Sequence, residues 1–255
     1  MYEIYLFILI LIFSGIFIGV LGSLLGLGGG FLITPILTFI FSFYQIEDAV
    51  KFAVGTSSLV VFLNSLIGCY RHKKDIYVVE SIKLGLISLI FSYLTGFFVV
   101  NYLPSYLLKI LLGFFLLFLS FYTIIPKPKI KNNFSIFVGI IAGICSGLFG
   151  IGGGLIFTPL LSLIYDNKKA VRISIGAVPL TSFGSVLSYL TAKVDNVCGN
   201  IGYVSLPITI LIMIPMLFSS KLGYRLYNIL NEKQVNIILF VILFVIGTMI
   251  LINSY

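Results

Sequence analysis

The stretch Gly26-Leu27-Gly28-Gly29-Gly30-Phe31-Leu32-Ile33-Thr34-Pro35-Ile36-Leu37 decides how this chain is read, and it occurs twice. The second copy is Gly150-Ile151-Gly152-Gly153-Gly154-Leu155-Ile156-Phe157-Thr158-Pro159-Leu160-Leu161, 124 residues further on (26 to 150) in a chain of 255. Both copies lie inside long apolar runs. Each glycine weakens a helix by about 1 kcal/mol relative to alanine. In water such a cluster reads as a loop. In hydrocarbon, unwound backbone survives only where it is buried in protein or lines a cavity. Matching Gly/Pro interruptions in the two halves of a membrane chain point to a binding site near the midplane.

The composition places the chain in a membrane. Sixty per cent of its residues are hydrophobic and 9% are charged, with a mean hydropathy of +1.18. No soluble domain of this size hides that much apolar surface. The expected fold is an all-α, polytopic helix bundle forming one integral membrane domain. The apolar run Ile4 to Leu21 follows Glu3 rather than basic residues and lacks a small-residue cleavage pattern, so it reads as a retained helix. Cys69, Cys145 and Cys198 show no paired spacing and read as small packing residues. The net charge of +8 sits in short loops between apolar spans, which fits membrane orientation rather than nucleic acid.

A span needs about 20 apolar residues. Segments are expected near 4–24, 31–43, 51–70, 82–102 and 105–125, then 134–149, 155–165, 170–191, 201–219 and 234–252. Between them lies Pro126-Lys127-Pro128-Lys129-Ile130-Lys131-Asn132-Asn133, a basic linker. This divides the chain into a repeat over 1–125, a linker over 126–133 and a repeat over 134–255. Ala49-Val50-Lys51 with Gly55 matches Ala170-Val171-Arg172 with Gly176, and Gly96 matches Gly223, which extends the duplication beyond the glycines.

Parity predicts the relation between the repeats. The 4–44 stretch either crosses twice or enters and leaves on one face, and three spans follow. Each half then crosses an odd number of times, so the second is inverted relative to the first. With both termini outside the plasma membrane, thirteen of the sixteen basic residues fall inside. Lys51, Lys109 and Lys193 stay outside, which is the expected positive-inside bias.

Thr34-Pro35 and Thr158-Pro159 read as helix starts, with threonine as cap and proline at the first helical position. A half-helix from Pro35 to about Phe43 would begin near the midplane and face Gly28, Gly29 and Gly30. Gly152, Gly153 and Gly154 form the second copy. Free N–H groups at such helix ends bind an anion without Lys or Arg. Thr56, Ser57 and Ser58 lie midway along the third span, with Asn64 on the face of Ser57. Thr181 and Ser185 occupy the comparable region of the second half. Their hydroxyls and amide are candidate substrate ligands, with helix–helix hydrogen bonding as the alternative. Lys51 and Arg172, at equivalent positions, are candidates for guiding an anion to each mouth, or serve only to fix orientation.

The same residues exclude several chemistries. The acidic residues fall in loops or at span ends, so there is no intramembrane Asp pair and no acidic proton relay. His72, the one histidine, lies in a basic loop, which leaves a Ser–His hydrolase without its base. No Cys/His cluster suggests a metal site, and no cofactor is implied. The nucleotide motif G-x-x-x-x-G-K-[ST] does not occur, so transport energy must come from an ion gradient or a partner.

On the doubled Gly-x-Gly-Gly-Gly motif with its Thr-Pro, and on Ala49…Gly55-Thr56-Ser57-Ser58, the chain resembles the TauE/SafE family, also called the 4-toluene sulfonate uptake permease family. The resemblance covers essentially the whole chain and implies a multi-span transporter of sulfur-containing anions: sulfite, sulfonate, sulfoacetate or thiosulfate. The second half departs at Ala177-Val178-Pro179, where the first has Thr-Ser-Ser. The reading that follows is a secondary transporter with a small anionic substrate, lipid as its surroundings and H+ or Na+ as candidate coupling ion. A passive anion channel of the same fold, or an intramembrane enzyme or assembly factor, are the alternatives.

Overall fold

The computed structural model describes residues 2–24, 29–124, 134–195, 199–227, 229–230 and 232–252. The expected linker, Gly26 to Gly28 and Cys198 lie outside them. The chain runs through α1 (Tyr2–Leu24), α2 (Gly30–Phe43), α3 (Ala49–Arg71), α4 (Val78–Tyr102), α5 (Ser105–Ile124), α6 (Ser135–Phe149), α7 (Gly154–Leu161) and α8 (Asn167–Leu190). A two-residue hairpin follows, β1 (Asn200–Ile201) with β2 (Val204–Ser205), then α9 (Leu206–Tyr227) and α10 (Glu232–Ile252). Seven of these helices, α1, α3, α4, α5, α8, α9 and α10, are long and apolar enough to cross a membrane. At 1.5 Å per residue, α2, α6 and α7 reach about 21, 23 and 12 Å, short of the roughly 30 Å hydrocarbon thickness.

Several expected boundaries move. The expected span at 201–219 becomes the hairpin followed by α9, which starts at Leu206 and runs to Tyr227. Lys221 and Arg225, expected in a loop, therefore lie on the last turns of a helix. Asn167 to Lys169 belong to α8 rather than to the loop before it. Polar residues extend these helices because their backbone bonds continue past the apolar stretch that marks a span.

The molecule is apolar outside and hydroxyl-rich inside. Phe13, Phe114, Phe118, Ile210 and Phe218 face outward, whereas Thr34, Thr56, Ser57, Ser58, Ser88, Ser92, Thr181 and Ser185 are fully buried. Lipid solvates the first set. The second set satisfies itself by hydrogen bonds between helices.

Helices from the two halves of the chain pack on one another. The first helix of each half lies along the fourth of the other, α1 on α9 and α6 on α4, and α3 crosses α8 near the centre. Glycine allows these approaches. A Cβ on Gly15 would stand 2.5 Å from the Ile212 carbonyl, and one on Gly147 would stand 2.5 Å from that of Ser92.

Candidate functional site

Three glycines in the left-handed region build the second-half motif. Gly150 (φ +67°) ends α6 and returns its N–H to the Ser146 carbonyl at 2.8 Å, a left-handed helix stop that glycine favours. Gly152 and Gly153 (φ +68° and +74°) then reverse the chain into α7. The Gly153 carbonyl accepts from Ile156 and Phe157 at 2.9 and 2.7 Å. In the first half Gly29 (φ +75°) takes the same place before α2, at the same offset of 124 residues (29 to 153). Among the described residues no backbone carbonyl accepts from the N–H groups of Gly30, Phe31, Gly154 or Leu155.

The helix starts differ from expectation. α2 begins at Gly30 and α7 at Gly154, so Thr34 and Thr158 lie inside their helices and cap neither. The left-handed glycine, not the proline, sets the start. Pro35 sits beyond the first turn, where its missing N–H leaves only the Phe31 carbonyl without a helical donor.

Gly30 and Gly154, the first residues of α2 and α7, line one cavity of about 240 Å³. Its polar walls are Asn64 and Ser65 from α3, Thr158 from α7 and Ser174 from α8, with His72 exposed beside it. Among the described residues no acidic, Lys or Arg side chain lines it. Thr158 Oγ1 donates to Ser174 Oγ at 3.2 Å. A neighbouring cavity of about 360 Å³ shares His72, Val171 and Ile175 and adds Lys168, Arg172 and Asp75. Arg172 pairs there with Asp75 at 3.4 Å.

The sequence-selected residues thus separate into groups. Gly30, Gly154, Asn64 and Thr158 meet at the cavity. Thr34, Ser57, Ser58 and Ser185 do not line it. Thr34 Oγ1 lies 2.7 Å from Ser57 Oγ and donates to the Phe149 carbonyl at 2.7 Å, and Ser58 Oγ lies 2.8 Å from Ser185 Oγ. Thr181 faces Ser88 on α4 at 2.5 Å. Thr56 accepts the Ser205 N–H at 3.2 Å, on the hairpin. Gly29, Gly152 and Gly153 shape the backbone turn without lining the cavity.

The other end of the α3–α8 pair is plugged by the hairpin. The cavity uses the C-terminal half of α3 and the N-terminal half of α8. The hairpin packs on the opposite halves. Tyr203 N–H donates to the Tyr189 carbonyl at 3.0 Å, and its ring meets Phe52 edge-on at 5.0 Å. Its hydroxyl donates to Asp48 Oδ2 at 2.5 Å, and Ser105 donates to the other carboxylate oxygen. Burial pushes the Asp48 carboxyl up, but the hydrogen bonds from Ser105 and Tyr203 and the charge of Lys51 outweigh it and hold it below its ordinary value. Lys51 is 8% exposed, donates to the Val100 carbonyl at 3.3 Å and lies 5.7 Å from the centre of the Tyr203 ring. The structure therefore places Lys51 in packing and not at an open mouth.

Ser174 and Tyr203 were not legible as site residues. Repeat comparison puts Ala53 opposite Ser174 and Ile76 opposite Tyr203, so a search for duplicated polar positions passes over both. The one available signal was Ser174's place on the face of α8 that carries Val171 and Val178.

An interior of hydroxyls, a lipid-facing exterior and a central cavity at two broken helices define a polytopic membrane transporter. Comparison narrows the class: the chain matches the family described as sulfite exporter TauE/SafE over residues 11–250 and belongs to it. It is 47% identical to a probable membrane transporter protein of Methanocaldococcus jannaschii, over 98% of this chain and 97% of that one. It is 27% identical to the probable membrane transporter protein YunE of Bacillus subtilis, over 93% and 95% of the two chains. No solved structure matches it.

Proposed function

We propose that the protein is a secondary transporter of small sulfur-containing anions of the sulfite, sulfonate, sulfoacetate or thiosulfate type, working by alternating access between two inverted halves. The observation that carries this reading is the cavity on which α2 and α7 both open. The starts of α2 and α7 bring backbone N–H groups and two positive helix ends to one space, largely apolar, whose polar lining is three hydroxyls, the Asn64 amide and His72. Such a space favours an anion of modest size. Asn64, Thr158 and Ser174 are the side chains placed to orient its oxygens.

The reciprocal packing of α1 on α9 and of α6 on α4 supports an exchange relation between the halves. The open cavity and the plugged hairpin end support alternating access. The family's printed description, sulfite exporter, supports the substrate class.

Purified protein in liposomes is expected to take up at least one anion from a panel of sulfite, sulfonates, sulfoacetate and thiosulfate. Uptake should saturate and should accelerate when the same anion is loaded on the far side. Flux that rises linearly with concentration and shows no counter-flow would establish a channel instead, and no flux of any anion would end the transport reading.

The topology is tested separately. In a background lacking the native cysteines, Lys74→Cys is expected to react only from inside the cell and Glu47→Cys only from outside. Asn132→Cys, in the linker, is expected to react only from inside, and its reaction from outside would dismiss the inverted arrangement.

A further inference from the structure

Four of the buried hydroxyls set apart from the cavity converge on the C-terminus of α6, and their chemistry differs from the cavity's. Thr34, Ser57, Ser58 and Ser185 supply four hydroxyl protons. Around them stand the carbonyls of Val54, Ser146, Phe149 and Gly150, at 2.7 to 3.2 Å from one or another hydroxyl oxygen. Phe149 and Gly150 end α6, so among the described residues their carbonyls take no backbone N–H. The negative end of the helix points at the same place. Acceptor lone pairs therefore outnumber the protons available to fill them.

Gly150 lies folded into the cluster. A Cβ there would stand 2.5 Å from Ser57 Oγ, 2.5 Å from the Val54 carbonyl and 3.0 Å from Ser58 Oγ. Independently, Ser146 Oγ on the last turn of α6 is fully buried and has no hydrogen-bond partner among the described residues. A buried hydroxyl without a partner is costly and marks this region as built for something besides its own internal bonds.

An anion is repelled by carbonyl oxygens, whereas a cation is solvated by them. None of these oxygens belongs to a carboxylate, which disfavours a divalent ion, since those are held mainly by carboxylates and water. The close spacing suits a small ion. We propose that this cluster is a Na+ site. Helix ends and unwound carbonyls at a broken membrane helix are suited to that ion. The site sits on the turn that leads into α7, so filling it fixes the segment whose N–H groups face the cavity. Na+ bound here would couple to the anion through that turn, and this coupling, unlike the binding itself, rests on the transport reading above.

The test begins without any anion. Purified protein is melted in NaCl, KCl or choline chloride at equal ionic strength. Na+ is expected to raise Tm by about 3 °C or more over choline, with K+ giving little. Ser57→Ala and Ser58→Ala, either of which suffices if the other fails to fold, are expected to abolish that difference. In liposomes an inward Na+ gradient should speed wild-type anion uptake at least tenfold over choline. Equal Tm and equal uptake in all three salts would overturn the proposal while leaving an anion transporter. A Na+-dependent Tm in a protein that moves no anion would keep the site and remove the coupling. A Na+ response that survives in both serine variants would place the ion elsewhere and overturn the assignment.

Discussion

Gly154→Val is expected to lower anion flux at least tenfold while Tm stays within about 3 °C of the parent. Gly154 begins α7 and lines the cavity. It is absent from the positive-φ glycines, so a side chain meets no backbone penalty there. Outside α7's own backbone, the described atom within 4 Å of a new Cβ is Val178 Cγ2 at 3.3 Å, the end of a side chain that can give slightly. The valine then occupies space in a cavity of about 240 Å³, against the N–H groups that an anion would approach. A tenfold loss corresponds to about 1.4 kcal/mol, roughly one hydrogen bond to a charged group. Paired flux and melting measurements decide the matter. Unchanged flux would show that substrate does not approach this helix end, and a flux loss that tracks a fall in Tm would make the position a packing site. Gly153→Val is a poor substitute for this experiment. At φ +74° a β-branched residue is strained whatever the space, and flux would fall together with stability.

Gly150→Ala is expected to produce the largest loss of stability of any single methyl group added in the motif. The left-handed conformation costs a residue with a Cβ about 1–2 kcal/mol. The Cβ would also press on the Val54 carbonyl and Ser57 Oγ, each 2.5 Å away. One of these is backbone and cannot rotate aside. Overpacking of that kind adds about 1–3 kcal/mol. Together they come to about 2–5 kcal/mol, which predicts a Tm fall of about 4–20 °C for a protein of this length, or failure to purify as a single species. Gly68→Ala, inside α3 and with no described atom within 4 Å of its new Cβ, is the control and should melt at the parent's Tm or up to about 4 °C above it. Equal melting of both variants would mean that α6 does not end in the conformation described.

Much of this architecture could be read from the residues. The duplicated glycines correctly marked two helix breaks, and positive φ at Gly29, Gly152 and Gly153 explains why no other residue serves. Helix starts were harder. Proline usually occupies the first helical position, yet Pro35 and Pro159 are the sixth residues of α2 and α7. The residue before a proline resists the helical region, but Thr34 is held there by its bonds to Ser57 and the Phe149 carbonyl. Those partners are 23 and 115 residues away, and no local pattern reports them. The grouping of hydroxyls was hidden for the same reason. Ser57 and Asn64 share a helical face, yet one lies in the cluster at α6 and the other lines the cavity, because the glycine turns divide the space between them.

The plug formed by Tyr203 has a consequence for timing. A solute that arrives at the Arg71–Asp75 end meets the cavity without a plug of this kind in its way, and under the transport reading its first encounter would be set by diffusion. A solute at the Asp48 end finds Tyr203 bonded to Asp48 and Tyr189, with its ring on Phe52. It must wait until those contacts break together. The two faces of one molecule would then answer a sudden rise in solute with different delays, one concentration-dependent and the other a fixed waiting time that no excess of solute can shorten.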